Sequence, residues 1–323
     1  MQEEKTIKSI NTSNSERKRL WKAAIKWPLY SVAIMPVFLA AGWTHAIKSN
    51  VRWGQLIGFL AASIFLLIWE NLTNDLFDSV TGVDEFKFHS LVKLLGKRQL
   101  VRQLAYASLL FGLCLILILA FRSDPSVFFL VAGSCFLGYL YQGPPFRLGY
   151  QGLGEPLCWL AFGPLATAAA LLVISPRSEI TSVIPWETSL LLGSGPALAT
   201  TLVLFCSHFH QVIQDGLHGK KTPLVRLGTD RVAKLVPWIV TFVFAMEWIP
   251  ILNGRLPISS LLSCIGLPPA IALIRLLSKH HNHPLMISEC KFLALRFQTL
   301  NGIGFSLGIA IAPSLGIGLA LQN

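Results

Sequence analysis

Apolar residues in this chain stand in long, nearly unbroken blocks, and no other feature limits its fold so strongly. A bilayer-crossing helix needs roughly 20 mainly apolar residues. Nine such blocks run at about 29–47, 53–72, 101–121, 126–142, 156–175, 188–207, 235–252, 257–277 and 302–321. A water-soluble fold would have to cover all of them with polar side chains. Charged residues make up only 13% of the chain, against about 25% in ordinary globular domains. The sequence therefore predicts an all-α integral membrane protein: a bundle of nine transmembrane helices around a central cavity. A polar tail over 1–26 precedes the membrane domain over 27–323.

Threading the blocks alternately through a bilayer sorts the basic residues. With the N-terminus inside, 22 Lys and Arg fall in cytoplasmic segments and five (Lys48, Arg52, Arg122, Arg177 and Arg255) fall outside. Positive charge gathers on the cytoplasmic side of membrane proteins, so the split predicts a cytoplasmic N-terminus. It also accounts for the net charge of +11 without a nucleic-acid partner. The first 26 residues hold Glu3, Glu4 and Glu16 and no apolar core, unlike a secretory signal or a transit peptide. The six cysteines are scattered, with no CxxC pair, and suggest neither a disulfide framework nor a zinc site. Glu247 sits late in the seventh block and is expected at the membrane interface.

The same threading puts two long polar loops, 73–100 and 208–234, on the cytoplasmic face. Ser90-Leu91-Val92-Lys93-Leu94 echoes Pro223-Leu224-Val225-Arg226-Leu227 at an offset of four spans. The echo is either chance or the trace of a parallel duplication, and such folds often carry their site at the repeat interface.

Acids are rare here, 16 in all, yet Glu70, Asp75, Asp78, Asp84 and Glu85 fall within 16 residues at the end of the second block. On a helix Asn74 and Asp78 are i,i+4 neighbours and Asp75 and Asp78 are i,i+3 neighbours, so their oxygens share one side. Crowded carboxylates at a membrane edge are either a solvated charge run or a cation site. Oxygen-only donors suit Mg²⁺, which takes one or two carboxylates and leaves positions for water and phosphate. A transporter is the competing class, but transporters place ionisable groups near the bilayer midplane. These acids collect at span ends.

Asn74-Asp75-x-x-Asp78 followed by Asp84 resembles the first Asp-rich motif of the UbiA-type intramembrane prenyltransferases. Trp69 through Asp84, and the loop from Tyr141-Gln142-Gly143-Pro144-Pro145 to Glu155, are similar to the naphthoate branch of that family. Ser207-His208-Phe209-His210-Gln211-Val212 and Val225-Arg226-Leu227-Gly228-Thr229 resemble its cyanobacterial and plastid members, which serve phylloquinone synthesis. The resemblance covers most of residues 17–321 and rests on the loops; the helices add little beyond hydropathy.

The resemblance implies Mg²⁺-dependent transfer of a prenyl group, phytyl above all, from its diphosphate to 1,4-dihydroxy-2-naphthoate, with loss of CO₂. Homogentisate, chlorophyllide and menaquinone-type chains are the alternatives. It implies Asn74, Asp75, Asp78, Asp84 and Asp215 as metal ligands, with Asp75, Asp78 and Asp215 essential for catalysis. It implies Asn71, Tyr141, Lys93, Gln211, Lys220 and Arg226 as substrate contacts. Arg147 is either a topological anchor or the holder of the acceptor's carboxylate, which a guanidinium fork suits. The 20 Phe and 9 Trp would shield a carbocation. The second motif departs from the family pattern: Asp215 is its only acid, with Gln211 and Gln214 where relatives often carry carboxylates. His208 and His210 are expected as polar cavity lining. The location implied is a cyanobacterial inner or thylakoid membrane.

Overall fold

The computed structural model describes residues 14–25, 27–47, 50–83, 90–176 and 184–315. Asp84, expected as a metal ligand, lies outside them. The described residues form helices and turns without strands. In chain order the helices are α1 (Asn14–Ile25), α2 (Ser31–Ala46), α3 (Trp53–Thr81), α4 (Leu91–Leu95), α5 (Arg98–Arg122), α6 (Ser126–Gln142), α7 (Gly154–Leu160) and α8 (Ala166–Ile174). They continue with α9 (Trp186–Ser207), α10 (Val212–Leu217), α11 (Pro223–Leu227), α12 (Thr229–Leu252), α13 (Leu267–His280) and α14 (Cys290–Ile311).

Among the described residues, the apolar blocks fall on helices. Seven stretches are long and apolar enough to cross a membrane: Pro28–Ala46, α3, α5, Gly154–Ile174, α9, α12 and Ile258–His280. α6 is apolar but shorter, at 17 residues. The block expected at 302–321, whose last six residues lie outside the described residues, begins inside α14, which starts twelve residues earlier. Lys291 and Arg296 interrupt its apolar run, which is why hydropathy placed its start too late. Two interruptions follow from proline, which lacks an N–H and crowds the preceding turn. Pro164 sits in a π-turn (Ala161–Leu165) that joins α7 to α8. Pro268 and Pro269 open α13 after a 3₁₀ segment, Ile258–Gly266.

Two apolar clusters hold the bundle together. One joins α3, α5, α6 and α8; the other joins α12 and α13; α2, α9 and α14 contribute to both. Large apolar side chains also cover the outside, among them Leu110, Phe111, Phe121, Phe129, Trp238 and Phe242. Water would penalise such a surface, whereas lipid accommodates it. α14 meets the 3₁₀ segment through Gly304 and Gly308, where an added Cβ would collide with the carbonyls of Leu262 and Ser259. Small residues of this kind let membrane helices approach closely.

Glu247 faces the interior of the bundle. It is 1% exposed, its Oε2 accepts a 3.0 Å hydrogen bond from Asn301 Nδ2 on α14, and its Cγ packs against Gly195 of α9. Position in the sequence gave its depth, but only the neighbouring helices show that it faces inward.

The two segments that echo each other in sequence share a local design. α4 and α11 are each five residues long, each ends at a positive-φ glycine (Gly96, 62°; Gly228, 80°), and each feeds a long helix.

Candidate active site

α3 has 29 residues, roughly 44 Å at 1.5 Å per residue, well beyond an apolar core of about 30 Å. It therefore carries the acidic motif past the end of its apolar stretch. It stops at Gly82, whose φ of 81° closes a left-handed cap with its N–H donating to the Asp78 carbonyl.

A cavity of about 730 Å³ opens beside this end of α3. Its polar wall includes Glu70, Asn71, Asn74, Asp78, His208 and Lys220, while Phe59, Trp69, Ile116, Val131 and Phe162 are among its apolar lining. Of the residues expected in the site, Asn71, Asn74, Asp78, Tyr141, Gln211 and Lys220 line it. The i,i+4 pairing of Asn74 and Asp78 is why both reach the same wall. Asp75 is the next residue after Asn74 and so points about 100° away. It is 1% exposed and its Oδ2 accepts the Leu91 N–H at 3.0 Å, fixing the start of α4.

Asp215 likewise lies behind the wall. It is fully buried, with His208 Nδ1 3.3 Å from Oδ2 and Lys220 Nζ 3.6 Å from Oδ1. His208 and Lys220 line the cavity in front of it, and His208 Nε2 lies 3.8 Å from Glu155 Oε1. α9 ends at Ser207, so His208 and His210 sit in a turn and both line the cavity, as expected. Burial, with help from nearby Lys291, lowers the His210 imidazole to about 4.

The Gly- and Pro-rich loop 143–154 wraps a tyrosine. A Cβ at Gly149 or Gly154 would come within 2.6 Å of the Tyr141 ring. Tyr150, which sequence reasoning missed, connects the two acidic segments. Its hydroxyl donates to Asp78 Oδ1 at 3.1 Å and lies 2.7 Å from Thr81 Oγ1, whose own hydroxyl also reaches the Asp78 carbonyl at 3.2 Å. Burial, then the Asp78 charge, pushes the Tyr150 phenol above the usual range, so it stays a donor. Lys220 Nζ lies 5.3 Å from the centre of the same ring.

Arg147, Lys93 and Arg226 do not line this cavity. Arg147 adopts a left-handed φ of 43° and stacks 5.9 Å from the centre of the Tyr150 ring. Lys93 is exposed on α4. Arg226 staples the loop, donating through Nη2 to the Gln151 carbonyl at 2.6 Å and through Nε to the Lys221 carbonyl at 3.0 Å. The cationic lining instead includes Arg19 and Lys22 of α1 and Lys291 of α14. All three look like topogenic charges in the sequence, and only the folded chain brings both its ends to the cavity.

The chamber is apolar along its body, with amide, carboxylate and ammonium groups at one end, a shape and polarity that suit an amphiphile with a charged head. The model of the UbiA prenyltransferase family matches residues 33–295, and the chain belongs to that family and is a prenyltransferase. It is 39% identical over 292 residues to the 2-carboxy-1,4-naphthoquinone phytyltransferase of Synechocystis, covering 90% of this chain and 93% of that one. The chloroplastic 2-carboxy-1,4-naphthoquinone phytyltransferase of Arabidopsis thaliana is 38% identical over 301 residues, 91% of this chain and 78% of its own. A 1,4-dihydroxy-2-naphthoate octaprenyltransferase of Mycobacterium tuberculosis is 31% identical over 232 residues, 66% of this chain and 74% of its own.

Proposed function

We propose that this enzyme transfers a phytyl group from phytyl diphosphate to 1,4-dihydroxy-2-naphthoate, releasing diphosphate and CO₂ on the way to phylloquinone. The observation that carries this reading is the cavity with Asn74, Asp78 and Lys220 at its polar end and an apolar body behind them. The names of the two phytyltransferase relatives supply the donor, and those of all three relatives a naphthoquinone or naphthoate acceptor. The dihydroxy form is the electron-rich partner that attack on an allylic cation needs.

The donors at the polar end fit a hard cation. Asn74 and Asp78 offer an amide oxygen and a carboxylate on one wall, and diphosphate oxygens can complete the shell. Mg²⁺ held there would supply positive charge to the departing diphosphate. Tyr150, donating to Asp78, keeps that carboxylate oriented. Asp75 supports the motif by fixing α4, and Asp215 acts through Lys220, whose ammonium it holds at the cavity wall. Lys220 then stabilises charge developing on the leaving group. Arg19, Lys22 and Lys291 draw the anionic heads of both substrates inward. The aromatic and aliphatic lining keeps water from the prenyl cation. The nine helical stretches span the membrane with the N-terminus in the cytoplasm, a reading that the distribution of basic residues supports.

The test is to incubate membranes holding the protein with dihydroxynaphthoate and phytyl, geranylgeranyl or solanesyl diphosphate, and to weigh the product. A decarboxylated phytyl naphthoquinol is expected. Turnover of homogentisate but not dihydroxynaphthoate would refute the acceptor.

A further inference from the structure

Prenylation with decarboxylation leaves one proton to manage, and the residues treated so far do not handle it. When the carboxyl-bearing ring carbon attacks, positive charge passes to the neighbouring hydroxyl-bearing carbon. In an apolar chamber such a charge is costly, so the hydroxyl proton must go to a base within hydrogen-bond reach.

Among the described residues the cavity wall holds two carboxylates, Asp78 and Glu70. Asp78 is engaged by Tyr150 and belongs to the diphosphate end. Glu70 precedes Asn74 by four residues, so it lies on the same side of α3 but one turn deeper, toward the apolar body. Its carboxyl rests against the bare backbone of Gly138 on α6: a Cβ there would lie 4.0 Å from Oε1. The titratable groups facing it are the thiols of Cys135 on α6 and Cys158 on α7, which line the same chamber. Gln142 and Thr73 donate to the Glu70 backbone carbonyl, which anchors the main chain and leaves the side chain to the cavity. Of the other titratable side chains in the lining, Lys220 and His208 face Asp215, and His210 lies beside Lys291.

We propose that Glu70 is the catalytic base, taking the acceptor's hydroxyl proton as the ring attacks and returning it after CO₂ leaves. This rests on the naphthoate reading above. The balance closes without a further reagent. The allylic C–O bond breaks and both electrons leave with diphosphate. A ring π pair forms the new C–C bond, the O–H proton passes to Glu70, and the C–O becomes a carbonyl. The ring–carboxylate bond then breaks, its pair enters the ring, and the resulting enolate oxygen recovers the proton from Glu70.

The experiment compares wild type with Glu70→Gln, Glu70→Asp and Glu70→Ala in membranes, all at saturating Mg²⁺. For Glu70→Gln, kcat should fall by about 10²–10⁴, with the KM for prenyl diphosphate unchanged. The decline of kcat toward acid pH, as the base becomes protonated, should disappear in this variant. Glu70→Asp should recover part of the rate, and added formate should rescue Glu70→Ala. Glu70→Gln turning over like wild type overturns the base, as does a loss confined to the diphosphate KM. Inactive Glu70→Ala that formate does not rescue also counts against it. A wild type that leaves dihydroxynaphthoate untouched instead overturns the acceptor assignment beneath it.

Discussion

Replacing Lys220 by Met tests how the second polar segment works. Asp215 is fully buried, and its charge is met by Lys220 Nζ at 3.6 Å and His208 Nδ1 at 3.3 Å. The lysine side chain itself is only 7% exposed, so solvent screens the pair little. Removing one partner of a buried pair leaves an uncompensated charge and costs about 3–5 kcal/mol. His208 Nδ1 stays beside the carboxylate in the variant, which places the expected loss near the lower figure, about 3 kcal/mol. Lys220→Met combined with Asp215→Asn removes both charges, and the pair should lose clearly less than the sum of the single variants. Reversible unfolding in mixed detergent micelles measures all three, and prenyl transfer measured alongside should show a raised KM for the diphosphate. A loss below about 1 kcal/mol for Lys220→Met, or strict additivity in the double variant, would refute the claim that Asp215 serves to hold this lysine.

Other outcomes follow from the same geometry. Asp78→Asn should remove nearly all turnover while the protein stays inserted, and a chelator should do the same to wild type; normal rates at low Mg²⁺ would contradict both. Arg226→Ala loses two hydrogen bonds to loop carbonyls, at roughly 1.5–3 kcal/mol for a charged donor before the discount for its exposed position. Hydrogen exchange around 146–153 should rise, and unchanged protection would count against the staple. His210 is held near 4, below the ordinary imidazole value of about 6.5. The unfolded chain therefore binds its proton first, and stability should fall as pH drops from about 6.5 toward 4. Unfolding curves for His210→Gln should be flatter through that window.

The apolar blocks were legible because a bilayer reads composition over about twenty residues and tolerates errors at the edges. The edges themselves depended on other physics. α3 runs nine residues past its expected end because helix propagation stops at Gly82, not where hydropathy falls. In the acidic motif the i,i+4 rule identified Asn74 and Asp78 as a pair, but spacing alone could not say which side of α3 meets the cavity, and Asp75 turned out to serve α4. Arg147 was a reasonable candidate from its loop, yet its left-handed backbone aims it at Tyr150. Tyr150, Arg19, Lys22 and Lys291 enter the site through contacts between distant parts of the chain, which no local pattern encodes.

Tyr150 also sets what can be exchanged between relatives. Its hydroxyl reads Asp78, its ring lies beside Lys220, and its carbonyl accepts the Lys221 N–H at 2.7 Å. The segments 74–82, 143–154 and 208–222 are thus one structural unit, although the sequence scatters them. A chimera that imports 208–222 alone would set a foreign lysine register against a native tyrosine. Grafting all three together keeps the joint intact, and that trio is the smallest cassette through which the polar end of this enzyme can be moved.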